Sequence, residues 1–117
     1  MTENKKTIEK YMAGFIASDH SKILSCLTDD IVWEVPGFFS LTGKQAFDRE
    51  IENEAFIDSP KITVIRMIEE DNIVVAEGTV QSSKKDGGIL DAVFCDVFEM
   101  EERKIKRLTS YLMDIAK

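Results

Sequence analysis

One stretch of the sequence decides the fold, and it runs ILDAVFCDVFEM from Ile89 to Met100. Successive side chains of a β-strand point to opposite faces of its sheet, so each face collects alternate residues. One face of this strand would carry Val93, Cys95 and Val97. The other would carry an aspartate among apolar neighbours, in the order Ala92, Phe94, Asp96, Phe98 and Met100. Two apolar faces predict a strand that is covered on both sides.

This strand is one of four segments with alternating apolar residues in the second half of the chain. The segments are separated by short polar turns, and connections of that length join antiparallel neighbours in a sheet. The pattern therefore predicts a meander of four strands, which span residues 61–69, 73–82, 89–100 and 105–115.

Before residue 61 the apolar spacing is mostly helical. A first helix is predicted from about residue 2 to residue 17, because apolar residues recur every three or four positions. These residues are Ile8, Tyr11, Met12, Phe15 and Ile16. A short second helix is predicted to hold Ile23, Leu24 and Leu27, and a third to hold Phe47, Ile51 and Ala55 and to end at Ser59-Pro60.

Between the second and third helices the sequence predicts one short strand. The β-branched and aromatic run 31–35 has strand composition, and it lies between the turn residues Thr28-Asp29-Asp30 and Pro36-Gly37. Residues 38–43 are predicted as a loop. Helices followed by strands indicate a single α+β domain over residues 1–117, in the order α-α-β-α-β-β-β-β. Its three helices are expected to pack on one face of a curved antiparallel sheet.

The charge balance excludes two classes of partner. The 117 residues include 15 Lys+Arg against 22 Asp+Glu, a formal net charge of −7. A field of that sign repels phosphate backbones and anionic lipids, so we expect neither nucleic acid nor a membrane as partner. The sequence has no apolar run of membrane-spanning length and no export signal, which predicts a cytoplasmic protein.

Few residues are available to hold a metal or to form disulfides. Cys26 and Cys95 are the two cysteines, and His20 is the one histidine. This set is too small for a zinc site or a disulfide framework, so we predict no metal and buried free thiols. His20 lies in the predicted turn between two helices, where a solvated or capping role is expected. We find no phosphate loop or dinucleotide fingerprint, and therefore predict no cofactor.

Asp96 is the main candidate for chemistry. A carboxylate among Phe94, Phe98 and Met100 is costly to bury, so it must be hydrogen-bonded, solvated by a cavity, or neutral. A structural pairing of Asp96 is as plausible as a functional one. Tyr11 lies on the apolar stripe of the first helix, where a core tyrosine is the simpler interpretation. Together the two side chains could converge on one polar atom inside an apolar cavity.

Two further features leave their roles open. The sequence is rich in aromatic residues, with seven Phe, and either a ligand cavity or a dimer face would explain them. Glu77 could face either side of its strand, because the neighbouring Gly78 permits a bulge.

The order of elements and several short motifs resemble the SnoaL-like branch of the NTF2-like superfamily. The motifs are the run from Asp29 to Gly37, Gly43 before the third helix, Asp96-Val97-Phe98, and the segment from Lys104-Ile105 to Ser110-Tyr111. The resemblance covers nearly the whole chain and implies a cone-shaped fold and a homodimer. It is weak for activity, since the superfamily holds isomerases, cyclases, dehydratases, epoxide hydrolases and proteins without known catalysis.

The resemblance implies roles for two residues. At other positions this sequence lacks the residues that the related enzymes use. Tyr11 falls where ketosteroid isomerases carry their oxyanion-hole tyrosine, and Asp96 falls on the aspartate that those enzymes keep protonated. Their general base corresponds to Val35, and the alternation of the strand points Glu34 to the other face. The epoxide hydrolase pattern is also incomplete, because Ser110 and Leu108 replace an aspartate and a tryptophan.

These observations predict an apolar pocket between the sheet and the helices, closed at its mouth by the loop with Phe38 and Phe39. Its ligand would be a small apolar compound, with Tyr11 and Asp96 as catalytic residues. Beside them, the predicted ligand-binding residues are Phe15, Trp33, Val35, Phe38, Phe39, Phe47, Phe56, Phe94, Phe98, Leu108, Ser110 and Leu112. The outer sheet face is predicted to form the homodimer through Val93, Cys95, Val97, Arg107, Thr109 and Tyr111.

Three functions remain open at this point. The first is an isomerase- or cyclase-like enzyme that acts on an apolar carbonyl compound, with Tyr11 and Asp96 donating to an oxyanion. The second is a noncatalytic ligand-binding module, consistent with Val35 at the position of the base. The third is an interaction domain that uses the sheet face and has only a small cavity.

Overall fold

A computed structural model of the chain describes residues 1–51 and 60–115. It holds three helices, α1 (Glu3–Ala17), α2 (His20–Leu24) and α3 (Lys44–Ile51). Six strands form one sheet, namely β1 (Leu27–Val35), β2 (Phe39–Thr42), β3 (Lys61–Glu70), β4 (Ile73–Ser83), β5 (Ile89–Glu101) and β6 (Lys104–Asp114). The α+β class and the presence of three helices are confirmed, and the sheet has one strand more than predicted. The predicted part of the third helix with Ala55 and Ser59 lies outside the described residues.

Helix α1 begins and ends at identifiable caps. The Thr2 side chain accepts a hydrogen bond from the Lys5 backbone N–H, and Ser18 stops the helix in the left-handed conformation with φ 53°. Ile8, Tyr11 and Met12 are buried as predicted, but Ile16 is 45% exposed. At 100° per residue Ile16 lies at the edge of the apolar stripe, where the helix turns away from the sheet.

The second helix is shorter than predicted, and the first strand is longer. Helix α2 ends at Leu24, and the fully buried Leu27 begins β1 beside Ile105 of β6. The predicted turn residues Asp29 and Asp30 therefore lie inside a strand. The ladder between β1 and β6 is irregular from Leu27 to Val32, and both aspartates are exposed there. A strand accommodates turn-type residues where its pairing is interrupted.

The segment predicted as a loop after Pro36-Gly37 contains strand β2. Gly37 takes a φ of 87°, and the Phe38 N–H donates to the Val35 carbonyl at 2.9 Å, which reverses the chain. Phe39 then pairs opposite Val35 in an antiparallel hairpin. The loop prediction was wrong because this short strand forms only by pairing with β1.

The order of the sheet is β2-β1-β6-β5-β4-β3. Strands β3 to β6 form the predicted antiparallel meander, with ends within about one residue of the predicted ones. The prediction of a wholly antiparallel sheet is wrong, because β1 pairs with β6 in parallel. This pairing joins the first and last strands of the chain, so no turn between neighbouring segments could predict it.

A close approach of two strands shapes the other end of the meander. A Cβ on Gly78 would lie 2.0 Å from the Thr63 carbonyl oxygen, so only glycine fits there. The bulge itself is on β3, where the register shifts between Val64 and Arg66. Glu77, whose direction the sequence left open, makes an ion pair with Arg66 and lies on the outer face of the sheet.

The core lies between the helices and the concave face of the sheet. Its largest fully buried side chains are Phe47, Phe98, Ile8, Ile23, Leu27, Ile31, Ile105, Leu108 and Val74. Cys26 belongs to this core, whereas Cys95 is only half-buried, which corrects the prediction of two buried thiols. Within the described residues, no helix has the length and apolarity needed to cross a membrane.

Candidate functional site

A cavity of about 720 Å³ opens between the concave sheet face and helices α1 and α3. This volume lies in the range of small-molecule sites, which is about 300–1,000 Å³. Its apolar wall consists mainly of Met12, Phe15, Trp33, Val35, Phe38, Phe39, Ile51, Pro60, Ile62, Val80, Leu90, Phe94 and Leu112. Both candidate catalytic residues line this cavity, Tyr11 from α1 and Asp96 from β5.

The predicted ligand-binding residues divide into two layers. The cavity wall includes Phe15, Trp33, Val35, Phe38, Phe39, Phe94, Ser110 and Leu112. Phe47, Phe98 and Leu108 are fully buried and form the layer behind that wall. Phe47, for example, stacks on Trp33 with ring centroids 4.5 Å apart. Phe56 lies outside the described residues.

The mouth of the cavity differs from the predicted aromatic loop. Phe39 belongs to β2 and packs its ring edge to face against Trp33, with centroids 5.1 Å apart. Phe38 lies in the preceding turn with 71% of its surface exposed. Of these two residues, Phe38 therefore stands at the mouth outside the sheet, while Phe39 is part of the wall.

Several polar residues that were not predicted from the sequence also line the cavity. They are Ser18, Glu50, Ser82, Lys84 and Asp114. Two of them could have been found by strand alternation, since Asp114 shares a face with Ser110, and Ser82 shares one with Val80 and Ala76. Glu50 and Ser18 stand at helix positions without a comparable signal.

Asp96 lies in the middle of β5, between Ala76 of β4 and Ser110 of β6. Only 9% of its surface is exposed. Burial raises the pKa of the Asp96 carboxyl to about 7, and a hydrogen bond with the Ser110 side chain opposes that rise. Below neutral pH the group is therefore a carboxylic acid that can donate a hydrogen bond.

Tyr11 lies on the buried face of α1 with 3% of its surface exposed. Phe15, Phe47 and Phe98 surround its ring, the last at a centroid distance of 5.5 Å. Burial raises the pKa of the Tyr11 phenol well above its ordinary value, and the nearby charge of Asp96 adds to the rise. The phenol therefore remains a proton donor over the whole physiological range.

The proton-abstracting group of an isomerase has no counterpart at the predicted position. Val35 is 7% exposed and lies on the cavity wall. Glu34 lies on the opposite face, as the alternation predicts, where its Oε1 is 3.2 Å from Nη2 of Arg107. The site thus combines two acids with an apolar wall, an arrangement that can stabilise negative charge on a ligand oxygen.

Two other groups were singled out by the sequence. His20 begins α2, and its Nδ1 lies 2.6 Å from Oδ1 of Asp48 on α3. The capping role belongs to its neighbour Asp19, whose side chain accepts from the Lys22 N–H. Within residues 1–51 and 60–115, no three His, Cys, Asp or Glu side chains are arranged to hold a metal ion.

Comparison with known proteins places these observations in a family. Residues 8–108 match the family of SnoaL-like domains. None of the proteins with curated functions matches the sequence.

Solved structures resemble this chain over nearly its whole length. An NTF2-like protein from Burkholderia pseudomallei is 20% identical, with a TM-score of 0.86 over 97% of this chain and 92% of that one. An LEH-like epoxide hydrolase from M. tuberculosis is 19% identical, with a TM-score of 0.83 over 95% and 83% of the two chains. A putative polyketide cyclase from Xanthomonas campestris is 18% identical, with a TM-score of 0.83 over 93% and 89%. At these identities the likeness is one of fold.

Proposed function

The chain belongs to the SnoaL-like domain family, and we propose that it binds a small apolar carbonyl compound in the cavity and acts on it as an isomerase- or cyclase-like enzyme. The observation that carries the proposal is that Tyr11 and Asp96, two groups whose pKa values burial raises, both line one cavity whose surface is mainly apolar. Buried acids of this kind are expensive to keep unless a partner accepts from them. A carbonyl oxygen is such a partner.

The chemistry follows from what the two donors do when charge develops. If a proton passes from the carbon next to the carbonyl to a base, for which the cavity lining offers the carboxylates of Glu50 and Asp114, the electron pair of the broken C–H bond moves onto the oxygen. Both donors then strengthen their hydrogen bonds to that oxygen. A ligand seated against the apolar part of the lining would displace water there, which would make each hydrogen bond stronger than in solution. The donors therefore favour enolate-like intermediates, which isomerisations and aldol-type cyclisations share.

Binding of phenolates, which mimic such an oxyanion, tests the proposal. We expect a phenol that is ionised at pH 6 to bind the parent, and Tyr11→Phe and Asp96→Asn each to weaken its binding about tenfold or more. Ser82→Ala is the matched control, because it removes a hydroxyl from the same cavity wall. Equal binding by the parent and by the Tyr11→Phe, Asp96→Asn double variant would rule out a shared oxyanion site.

A noncatalytic ligand-binding module is the second candidate. Val35 favours it, because an apolar side chain lies on the wall where the related isomerases carry their base. Ligand binding uses the same cavity and the same donors in both candidates. They differ in what a carboxylate introduced by Val35→Asp would do, because only a degenerate isomerase would gain activity from a base at that position.

We also propose that the protein works in a reducing cytoplasm. The supporting observation is that Cys26 and Cys95 are both free thiols, on opposite sides of the sheet.

A cavity of about 720 Å³ lined by Tyr11 and Asp96 counts against the third function, an interaction domain with a small cavity.

A further inference from the structure

Three residues from three neighbouring strands form a hydrogen-bonded series that ends at the candidate site. Ser110 lies directly opposite Asp96 in the ladder between β5 and β6. The indole Nε1 of Trp33 on β1 lies 3.1 Å from the Ser110 Oγ. An indole N–H only donates, so the serine oxygen accepts there, and its single hydrogen is left for the Asp96 carboxyl.

The indole at the start of this series is held by other rings. Phe47 stacks on it at 4.5 Å with an interplanar angle of 25°. Phe39 and Phe15 meet it edge to face, with centroids 5.1 Å and 6.0 Å away. Packing on several sides fixes the rotamer of Trp33, so the direction of its N–H is set before any ligand arrives.

We propose that Ser110 and Trp33 are positioning residues, which bind one oxygen of the Asp96 carboxyl and leave the other directed at the ligand. The inference rests on the proposed function, because it takes Asp96 as the group that meets the ligand. Neither positioning residue needs to touch the reacting atoms. Their effect is to give a buried carboxyl one orientation instead of several, which is what a donor to a developing charge requires.

The same hydrogen bond sets how readily Asp96 ionises. Burial disfavours the carboxylate, whereas the Ser110 hydroxyl stabilises it. Loss of the hydroxyl removes the opposing effect, so the pKa of Asp96 must rise further. Loss of the indole N–H frees the hydroxyl to rotate, which moves the pKa in the same direction by a smaller amount.

Other titratable groups face the cavity and could blur this effect. Tyr11 projects from α1, Glu50 from α3, Lys84 from the turn after β4, and Asp114 from β6. The preceding residue on β5, Cys95, points to the outer face. A substitution at Ser110 or Trp33 adds or removes none of these titratable groups, so they are common to the parent and the variants.

The test is a carbon-13 NMR titration of the Asp96 carboxyl in the full-length chain. We expect Ser110→Ala to raise the pKa of Asp96 by about one pH unit, which corresponds to the loss of one hydrogen bond to a charged group. Trp33→Phe should raise it by about half as much. Ser110→Thr keeps the hydroxyl and should restore the parent value, and Ser82→Ala, which removes a distant cavity hydroxyl, should leave it unchanged.

The outcomes separate the series from the proposed function. An Asp96 pKa in Ser110→Ala equal to that of the parent would overturn the inference, whatever the ligand. If the pKa shifts as expected but phenolates bind the parent no better than Asp96→Asn, the positioning series stands and the proposed function fails. Thermal unfolding of each variant establishes whether it is folded. If Trp33→Phe is unfolded, the pKa of Asp96 in Ser110→Ala alone decides the test.

Discussion

At the scale of single residues, Asp96 shows how strongly a folded environment changes a side chain. In the unfolded chain its carboxyl is hydrated and has the ordinary pKa of an aspartate, near 3.8. In the folded chain Phe94 and Phe98 flank it on the same strand face, and its pKa is about 7. Burial also raises the pKa of the Tyr11 phenol, on the facing helix. Both residues thus favour their neutral, proton-donating forms.

The raised pKa makes the stability of the protein depend on pH. Between pH 4 and pH 7 the folded state holds a proton on Asp96 that the unfolded state has lost, so the free energy of unfolding falls as pH rises. The contribution of this one group, from its two pKa values, is about 4 kcal/mol at most. We expect urea unfolding to show the parent losing more stability from pH 5 to pH 8 than Asp96→Asn does.

A matched control separates this effect from general titration. Asp29 has a fully exposed side chain, so Asp29→Asn should retain the pH dependence of the parent. If Asp96→Asn and the parent lose the same stability between pH 5 and pH 8, the Asp96 carboxyl is not neutral in the folded state.

At the scale of elements, strand β1 organises the site. It pairs with β6 in parallel, with Trp33 beside Leu108, and this register brings the indole to Ser110. Alternation along β1 was predictable, since it follows from the strand alone. The parallel pairing was not, because it joins residues more than seventy positions apart and no turn connects them. Without it the sequence could place Trp33 on the concave face but could not name its partner.

The direction of β1 predicts what an acid at its end would do. A carboxylate placed by Val35→Asp would project from the cavity wall toward the ligand of Tyr11 and Asp96. If the protein is an isomerase that has lost its base, this variant should gain the conversion of a β,γ-unsaturated ketone to its conjugated isomer, followed by ultraviolet absorbance. Absence of any gain in a folded variant that still binds phenolates would favour the noncatalytic binder or a different reaction.

The control for this gain uses the alternation of the same strand. Val32 is a valine of β1 on the opposite face from Val35, because the two are three residues apart. Val32→Asp adds the same charge to β1 without directing it into the cavity. Gain of activity in both variants would mean that the new carboxylate does not act from the site.

At the scale of the whole molecule, no element within residues 1–51 and 60–115 covers the sheet face turned away from the helices. A groove of about 510 Å³ runs along it between Ile65, Val93, Tyr111 and Met113, whose exposed fractions range from 38% to 67%. Several charged residues of this face pair within the chain, namely Glu77 with Arg66 and Arg107 with Glu34 and Glu99. A second copy would therefore meet an apolar surface with little net repulsion, and we propose that the protein is a homodimer through this face.

Substitution in this groove should separate the two copies. We expect the parent to sediment as a dimer at micromolar concentration. Tyr111→Arg should sediment as a monomer, because dimer formation would bury the new positive charge of each subunit against the other subunit. Ile16→Arg is the control, since Ile16 is an exposed apolar residue on α1, on the other side of the sheet. A parent that sediments as a stable monomer would remove the dimer.

The sequence by itself determined the features that depend on neighbours along the chain. The helical spacing of Ile8 and Tyr11, the alternation around Asp96 and the short turns of the meander are local patterns, and each predicted its element and its buried face. The resemblance carried by the short motifs added the family, which the match over residues 8–108 confirms.

Only the tertiary structure decided the features that depend on distant contacts. Whether an aromatic residue lies in the core, as Phe47 does, or on the cavity wall, as Phe94 does, depends on which element packs against it. The strand β2 exists because β1 pairs with it, and the pKa of Asp96 is raised to about 7 because the helices and sheet together bury its carboxyl. Local periodicity places a side chain on a face, but its partners, its solvent and its proton affinity come from residues that only folding brings near.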